Sequence, residues 1–226
     1  MGILTGLAFE ADLVLKVSKH MDEGAPVVRC IGMGGAGAVA AARELAGRGV
    51  TGVVSFGLAG GLDPALEAGM LVVPEEVRGA AGQTWPVDGA WRAQVLDRLG
   101  SAAEASGGSL MACARPLISV RDKQAARQSS GAVAADMESA AIATAAEETG
   151  MKLLVVRAIA DDAVTALPPA ARAMGPSGKL LPGKLLVSLA RRPWQLPALI
   201  GLGLKTRRAC SALEGTVGAL VGPTPP

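Results

Sequence analysis

Aromatic residues make up only 2% of the 226-residue chain: three Trp, two Phe and no Tyr. Proteins that hold single-stranded nucleic acid stack its bases on aromatic side chains, so this scarcity argues against a nucleic-acid partner. There is one His, His20. Without a second partner it reads as a surface residue rather than an acid–base or metal group. Cys30, Cys113 and Cys210 are odd in number and follow neither metal nor redox spacing. They predict reduced thiols in a cytoplasmic protein and no metal site. The opening residues, Met1-Gly-Ile-Leu-Thr-Gly-Leu7, have no basic region ahead of an apolar one, so no signal peptide is expected. Gly6 stands where myristoylation needs Ser or Thr.

Hydrophobic residues nevertheless reach 50%. With so few aromatics, the core must be built from Ala, Val, Leu and Ile. The length suits one sizeable domain. Strands are predicted at 1–8, 27–31, 52–56, 70–77, 113–119, 132–135 and 153–162, separated by Ala-rich helical stretches and a 91–105 helix. This alternation predicts one α/β domain around a mixed, largely parallel sheet flanked by helices. It is assigned to residues 1–213, with 214–226 as a flexible tail.

Charge is distributed unevenly. From Ala163 to Leu213 there is no Asp or Glu but eight Lys and Arg, so the other residues carry −6 of a total of +2. Within 163–213, a helix is predicted over 180–190. Next, Trp194 to Leu204 is apolar apart from Gln195, with Arg191 and Arg192 before it and Lys205, Arg207 and Arg208 after it. Eleven residues with a Pro are too short for a membrane span, which takes about 20. Two readings remain: a peripheral membrane contact through 180–208, or a core-facing helix with a solvated basic edge.

Two adjoining stretches carry the chemistry. Asp136-Met-Glu-Ser-Ala-Ala-Ile-Ala143 reads as a helix start, with Asp136 as cap and Gly150 as stop. Leu153-Leu-Val-Val-Arg-Ala-Ile-Ala-Asp-Asp162 is a continuous apolar run ending in two carboxylates, which reads as a buried strand. Its carboxyl end is the edge where open α/β sheets bind small molecules. Gly32, Gly34 and Gly37 match a dinucleotide-binding turn, but no acid closes the next strand. A tight strand–helix turn, or backbone amides lining an anion or nucleophile site, are the other readings.

The two stretches together resemble the signature of the nucleoside phosphorylase and nucleosidase superfamily. Gly57-Leu-Ala-Gly-Gly-Leu62 is similar to that family's Gly-rich segment. The resemblance implies a single-domain nucleoside phosphorylase-type fold, cleavage of a purine N-glycosidic bond and a homo-oligomer. It implies Asp161 as the acid that protonates the leaving base, with Asp162 as a neighbouring charge. Glu138 would hold the ribose hydroxyls and Met137 would pack on the sugar. Gly34, Gly60 and Val120 would contribute to substrate binding, with Gln83 and Trp85 near the base or 5′ group. Glu10 or Asp12 would position the nucleophile. No cofactor is implied, though phosphate could serve as co-substrate. The family's Ser and Arg in the Gly-rich segment are Leu58 and Ser55 here. A phosphorolytic role would therefore need other donors, such as Arg29 or Arg43. The Ala-Leu-Pro-Pro-Ala-Ala and Leu-Ala-Arg-Arg-Pro-Trp-Gln-Leu-Pro-Ala-Leu stretches look like the hopanoid-associated phosphorylases. That narrower resemblance implies release of adenine from adenosylhopane, a lipid-linked substrate met at the inner membrane. The alternatives are a soluble methylthioadenosine/adenosylhomocysteine nucleosidase, a purine nucleoside phosphorylase, or a non-catalytic nucleotide-binding or membrane-recruitment protein.

Overall fold

A computed structural model of the chain describes residues 1–19, 24–100, 105–168 and 193–221. The strands are β1 (Gly2–Thr5), β2 (Val27–Cys30), β3 (Gly52–Gly61), β4 (Leu71–Val72), β5 (Glu76–Arg78), β6 (Thr84–Pro86), β7 (Ala105–Ser106), β8 (Ser109–Ala112), β9 (Ala134–Asp136) and β10 (Lys152–Asp161). The helices are α1 (Ala8–Ser18), α2 (Ala38–Gly47), α3 (Gly89–Leu99), α4 (Val120–Ser130), α5 (Ser139–Thr149) and α6 (Leu196–Leu220). The strands form one ten-stranded sheet ordered β6-β5-β8-β9-β3-β10-β4-β7, with β1 and β2 branching from β3. Six pairings are parallel and three antiparallel, the predicted mixed, largely parallel sheet.

The two long central strands are mostly apolar because both of their faces are covered. On β10, Leu153, Val155 and Ile159 join one core with residues of α2 and α5. Leu154, Val156 and Ala158 join a second core with α1, α3 and α6. This alternation is the strand's period of two applied to two buried faces. The register of β10 on β3 slips between Ile159 and Asp161. Such a bulge re-aims the side chain that follows it. Here that side chain is Asp161, the last residue of the strand.

The structure differs from the sequence reading in several places. The 70–77 strand is two short strands, β4 and β5, and the 78–90 loop contains β6. No strand spans 113–119; β8 lies just before it, and Ser119 and Asp122 form a capping box that starts α4. Helix α3 ends at Leu99, where Gly100 caps it, rather than at 105. The boundary at 213 falls inside α6, which continues to Leu220. Its Ala209, Leu213, Thr216, Val217 and Leu220 are buried at helical spacing. Residues 214–220 are therefore part of the domain, not tail. The helix predicted over 180–190 lies outside the described residues. Among the described residues, no helix is long and apolar enough to cross a membrane.

Candidate active site

Two carboxylates approach the end of β3 and the Gly-rich turn from opposite sides. Glu10 lies in the first turn of α1 and is only 4% exposed. Its Oε2 accepts the Leu7 amide at 2.9 Å and its Oε1 accepts the Leu58 amide at 2.9 Å. A Cβ on Gly57 would lie 2.5 Å from Oε1, so only glycine leaves room for the carboxylate there. Burial pushes the Glu10 carboxyl up from 4.5 to about 7, while Arg157 and the two amides oppose the shift. Glu138 occupies the N-cap of α5, and its Oε1 accepts the Gly34 amide at 3.0 Å. Gly34 is in a left-handed conformation, φ 75°. The glycine turn thus spends this amide on a protein carboxylate. Burial raises the Glu138 carboxyl as well, helped by Asp136 and opposed by Arg157.

Arg157 underlies both. It is the one charged residue between Leu153 and Ala160, and it is 1% exposed. Its Nε and Nη2 donate to Asp136 Oδ2 at 2.8 and 2.6 Å, and Nη2 also donates to Ser55 Oγ at 2.7 Å and Ser139 Oγ at 3.0 Å. Asp136, predicted as a helix cap, does accept the Ser139 amide, at 3.2 Å, but its main partner is this guanidinium. An ion pair removed from water is tolerated only with such complete hydrogen bonding.

Asp161 closes the third side. It is 8% exposed, and its Oδ2 accepts from Lys123 Nζ of α4. Burial raises its carboxyl above the ordinary carboxylate range, Lys123 opposes this, and Asp162 adds a smaller upward push. Asp162 turns away to accept from Lys205 Nζ at 2.6 Å.

Glu10, Gly60, Met137, Glu138 and Asp161 line a single cavity of about 840 Å³. This is near the upper end for a small-molecule site, roughly 300–1,000 Å³. Its lining is dominated by apolar side chains, and one wall comes from the first turns of α6 through Leu196, Leu199, Ile200 and Leu202. Along the same stretch, Trp194, Leu196, Ile200 and Leu204 are each at least half exposed. Among the described residues, the cations lining the cavity are Arg115 and Lys123.

Other residues singled out in the sequence lie elsewhere. Asp12 is exposed on α1 and does not line the cavity. Val120 is the first residue of α4; its neighbours Ile118 and Lys123 line the cavity and it does not. Trp85 donates to Glu147 at 3.1 Å from β6, and neither it nor Gln83 lines the cavity. Arg29 is tied to Glu44 and Arg43 sits 3.7 Å from Glu148, both away from the cavity. Ser55 is fully buried under Arg157. Lys123 and the role of Arg157 were missed. The capping box ahead of Lys123, and a lone cation in a buried strand, were the available signals.

The phosphorylase superfamily profile matches residues 15–173. No curated protein matches the chain in sequence. Among solved structures, the 5′-methylthioadenosine/S-adenosylhomocysteine nucleosidase from Neisseria meningitidis, in complex with methylthio-immucillin-A, is similar at TM-score 0.70 and 17% identity, covering 97% of both chains. The Helicobacter pylori enzyme of that name, with butyl-thio-DADMe-Immucillin-A, gives 0.69 and 16%, covering 96% of this chain and 97% of that one. Futalosine hydrolase of Helicobacter pylori gives 0.68 and 15%, covering 96% of each. At these identities the likeness speaks for the fold. The family match spans most of the chain, and by it the chain belongs to the phosphorylase superfamily.

Proposed function

We propose that the protein cleaves the N-glycosidic bond of a purine nucleoside whose 5′ end carries a lipid, with release of adenine from adenosylhopane as its reaction. The observation that carries this is the convergence of Glu10, Glu138 and Asp161 on one large cavity with an apolar α6 wall. Cleavage builds positive charge on the ribose and negative charge on the base. A buried carboxylic acid at Asp161 protonates purine N7, so the base leaves neutral. Glu138, fixed by the Gly34 amide, accepts the ribose hydroxyls, and Met137 packs against the sugar.

Glu10 positions and deprotonates the attacking water. A carboxyl near 7 suits that role at neutral pH. Water is favoured over phosphate because Ser55 is spent on Arg157, Leu58 offers no side-chain donor, and Arg29 and Arg43 lie away from the cavity. Water attack needs no cofactor. The exposed Trp194, Leu196, Ile200 and Leu204 form the lipid-facing edge at the cytoplasmic face of the inner membrane. Lys205 pairs with Asp162, so of the cations on α6 Arg207 and Arg208 remain for anionic headgroups. Assembly as a homo-oligomer belongs to this reading.

A 5′-alkyl adenosine series tests it. Each buried methylene is worth about 0.8 kcal/mol, roughly fourfold in kcat/KM, so adenine release should climb with chain length past methylthioadenosine. Best turnover of methylthioadenosine, with a penalty for longer chains, would instead make the protein a small-substrate nucleosidase. Binding without adenine release from any member would move the reading to a non-catalytic one.

A further inference from the structure

Lys123 is 1% exposed, an unusual place for an ammonium group. Its three N–H donors meet three acceptors: the Asp161 carboxylate, the Asp162 carbonyl at 2.5 Å and the Thr165 carbonyl at 3.0 Å. Two of these are backbone groups fixed by the chain just beyond β10. The third is the group assigned to protonate the leaving base. From this juxtaposition we infer that Lys123 is the proton reservoir for Asp161, a positioning residue that recharges the acid from inside the protein. The inference rests on the nucleosidase reading above.

One proton starts on Nζ, passes to the Asp161 carboxylate and moves from that carboxyl to purine N7. The electron pair of the C1′–N9 bond ends on the base. Water gives its hydroxide to C1′ and its proton to Glu10, which releases it to solvent, and solvent returns a proton to Lys123. The neutral amine keeps two N–H groups, one for each of the two carbonyls, so nothing around it loses a partner. The other groups facing the pair are already engaged. Lys205 of α6 is bound to Asp162, Arg127 one turn along α4 is bound to Asp63, and on β3 the residue beside the Asp161 oxygens is Gly60, where an added Cβ would lie 3.5 Å from them. Arg115, at the same cavity, is exposed.

Two variants separate a proton source from a structural cation. Lys123→Arg keeps the charge, but a guanidinium does not give up its proton in proteins. It should hold Asp161 ionised and lower adenine release about 10²–10⁴-fold at every pH. In Lys123→Met, Asp161 must take its proton from solvent. Its deficit against wild type should be small at pH 5 and grow at least about tenfold by pH 9, as Asp161 ionises. Taking each variant as a ratio to wild type removes the titration of Glu10, common to all three. A 4-nitrophenyl riboside, whose leaving group departs as a stable anion, should lose at least about tenfold less rate than adenine release does in both variants. A wild-type rate of adenine release in Lys123→Arg, a pH-independent deficit in Lys123→Met, or equal loss on both substrates would overturn the inference. Absence of adenine release by the wild-type protein would instead overturn the nucleosidase reading itself.

Discussion

Glu10→Gln should lower the rate of adenine release by about 10²–10⁴-fold while leaving the protein at least as stable at neutral pH. Both halves follow from the same burial. In the folded protein the Glu10 carboxyl titrates at about 7 instead of 4.5. Its contribution to stability is therefore fully present below about 4.5 and is lost as pH rises through about 7. At about 1.4 kcal/mol per pH unit, holding this group ionised costs the native state about 3 kcal/mol above pH 7. Gln carries no such cost, although one of the two amides at this position then faces its NH₂ group. Urea denaturation at pH 5 and pH 8 checks the stability. The difference between variant and wild type should move in the variant's favour with rising pH. The wild-type rate should rise over the same interval as Glu10 ionises. A variant that loses stability equally at both pH values would show that Glu10 is held as a structural acceptor for Leu7 and Leu58.

Arg157→Met should be the most destabilising single change at the site. It leaves the Asp136 side chain buried with only Ser139 to bond, and breaking a buried pair from one side costs about 3–5 kcal/mol. Against a typical total of about 5–15 kcal/mol, that is a large share. For a domain of this size it corresponds to a fall in Tm of about 6–20 °C. Replacing both partners, Arg157→Met with Asp136→Leu, should recover much of the loss, because no uncompensated charge remains. Activity should not return with stability. Arg157 also holds the Glu10 and Glu138 carboxyls down, and without it both rise further. Differential scanning calorimetry and the adenine assay, run on the single and double variants, separate the two effects. A double variant no more stable than the single would show that the ion pair is not the main support here.

The parts of this architecture that could be read from the sequence are those set by local pattern. The apolar run before Asp161, interrupted by Arg157, announced a doubly covered strand. The same pattern put its carboxylates at the sheet's functional edge. The Gly-rich turns were legible as close backbone approaches: Gly57 makes way for the Glu10 carboxylate, and Gly34 turns its amide to Glu138. What sequence could not supply was partnership across the fold. Glu10 and Asp12 are two residues apart on one helix, and only tertiary packing turns the first inward and leaves the second in water. Nothing local to Lys123 says that it meets Asp161, 38 positions away. Val120 was placed by position along the chain, whereas α4 turns Lys123 toward the cavity instead. Helix α6 shows why the two readings of the C-terminal segment could not be separated. Its second half is core-facing, and its first half carries an exposed apolar edge beside the cavity.

The most direct test is adenine release from a 5′-alkylated adenosine, measured with and without phosphate, and repeated with Asp161→Asn. The account predicts release in both conditions, free ribosyl product rather than a sugar 1-phosphate, and a loss of about 10²–10⁴-fold in the variant. Release only with phosphate would contradict water activation by Glu10. Binding without release, or an Asp161→Asn variant as fast as wild type, would contradict the assignment of this cavity as the place where the glycosidic bond is broken.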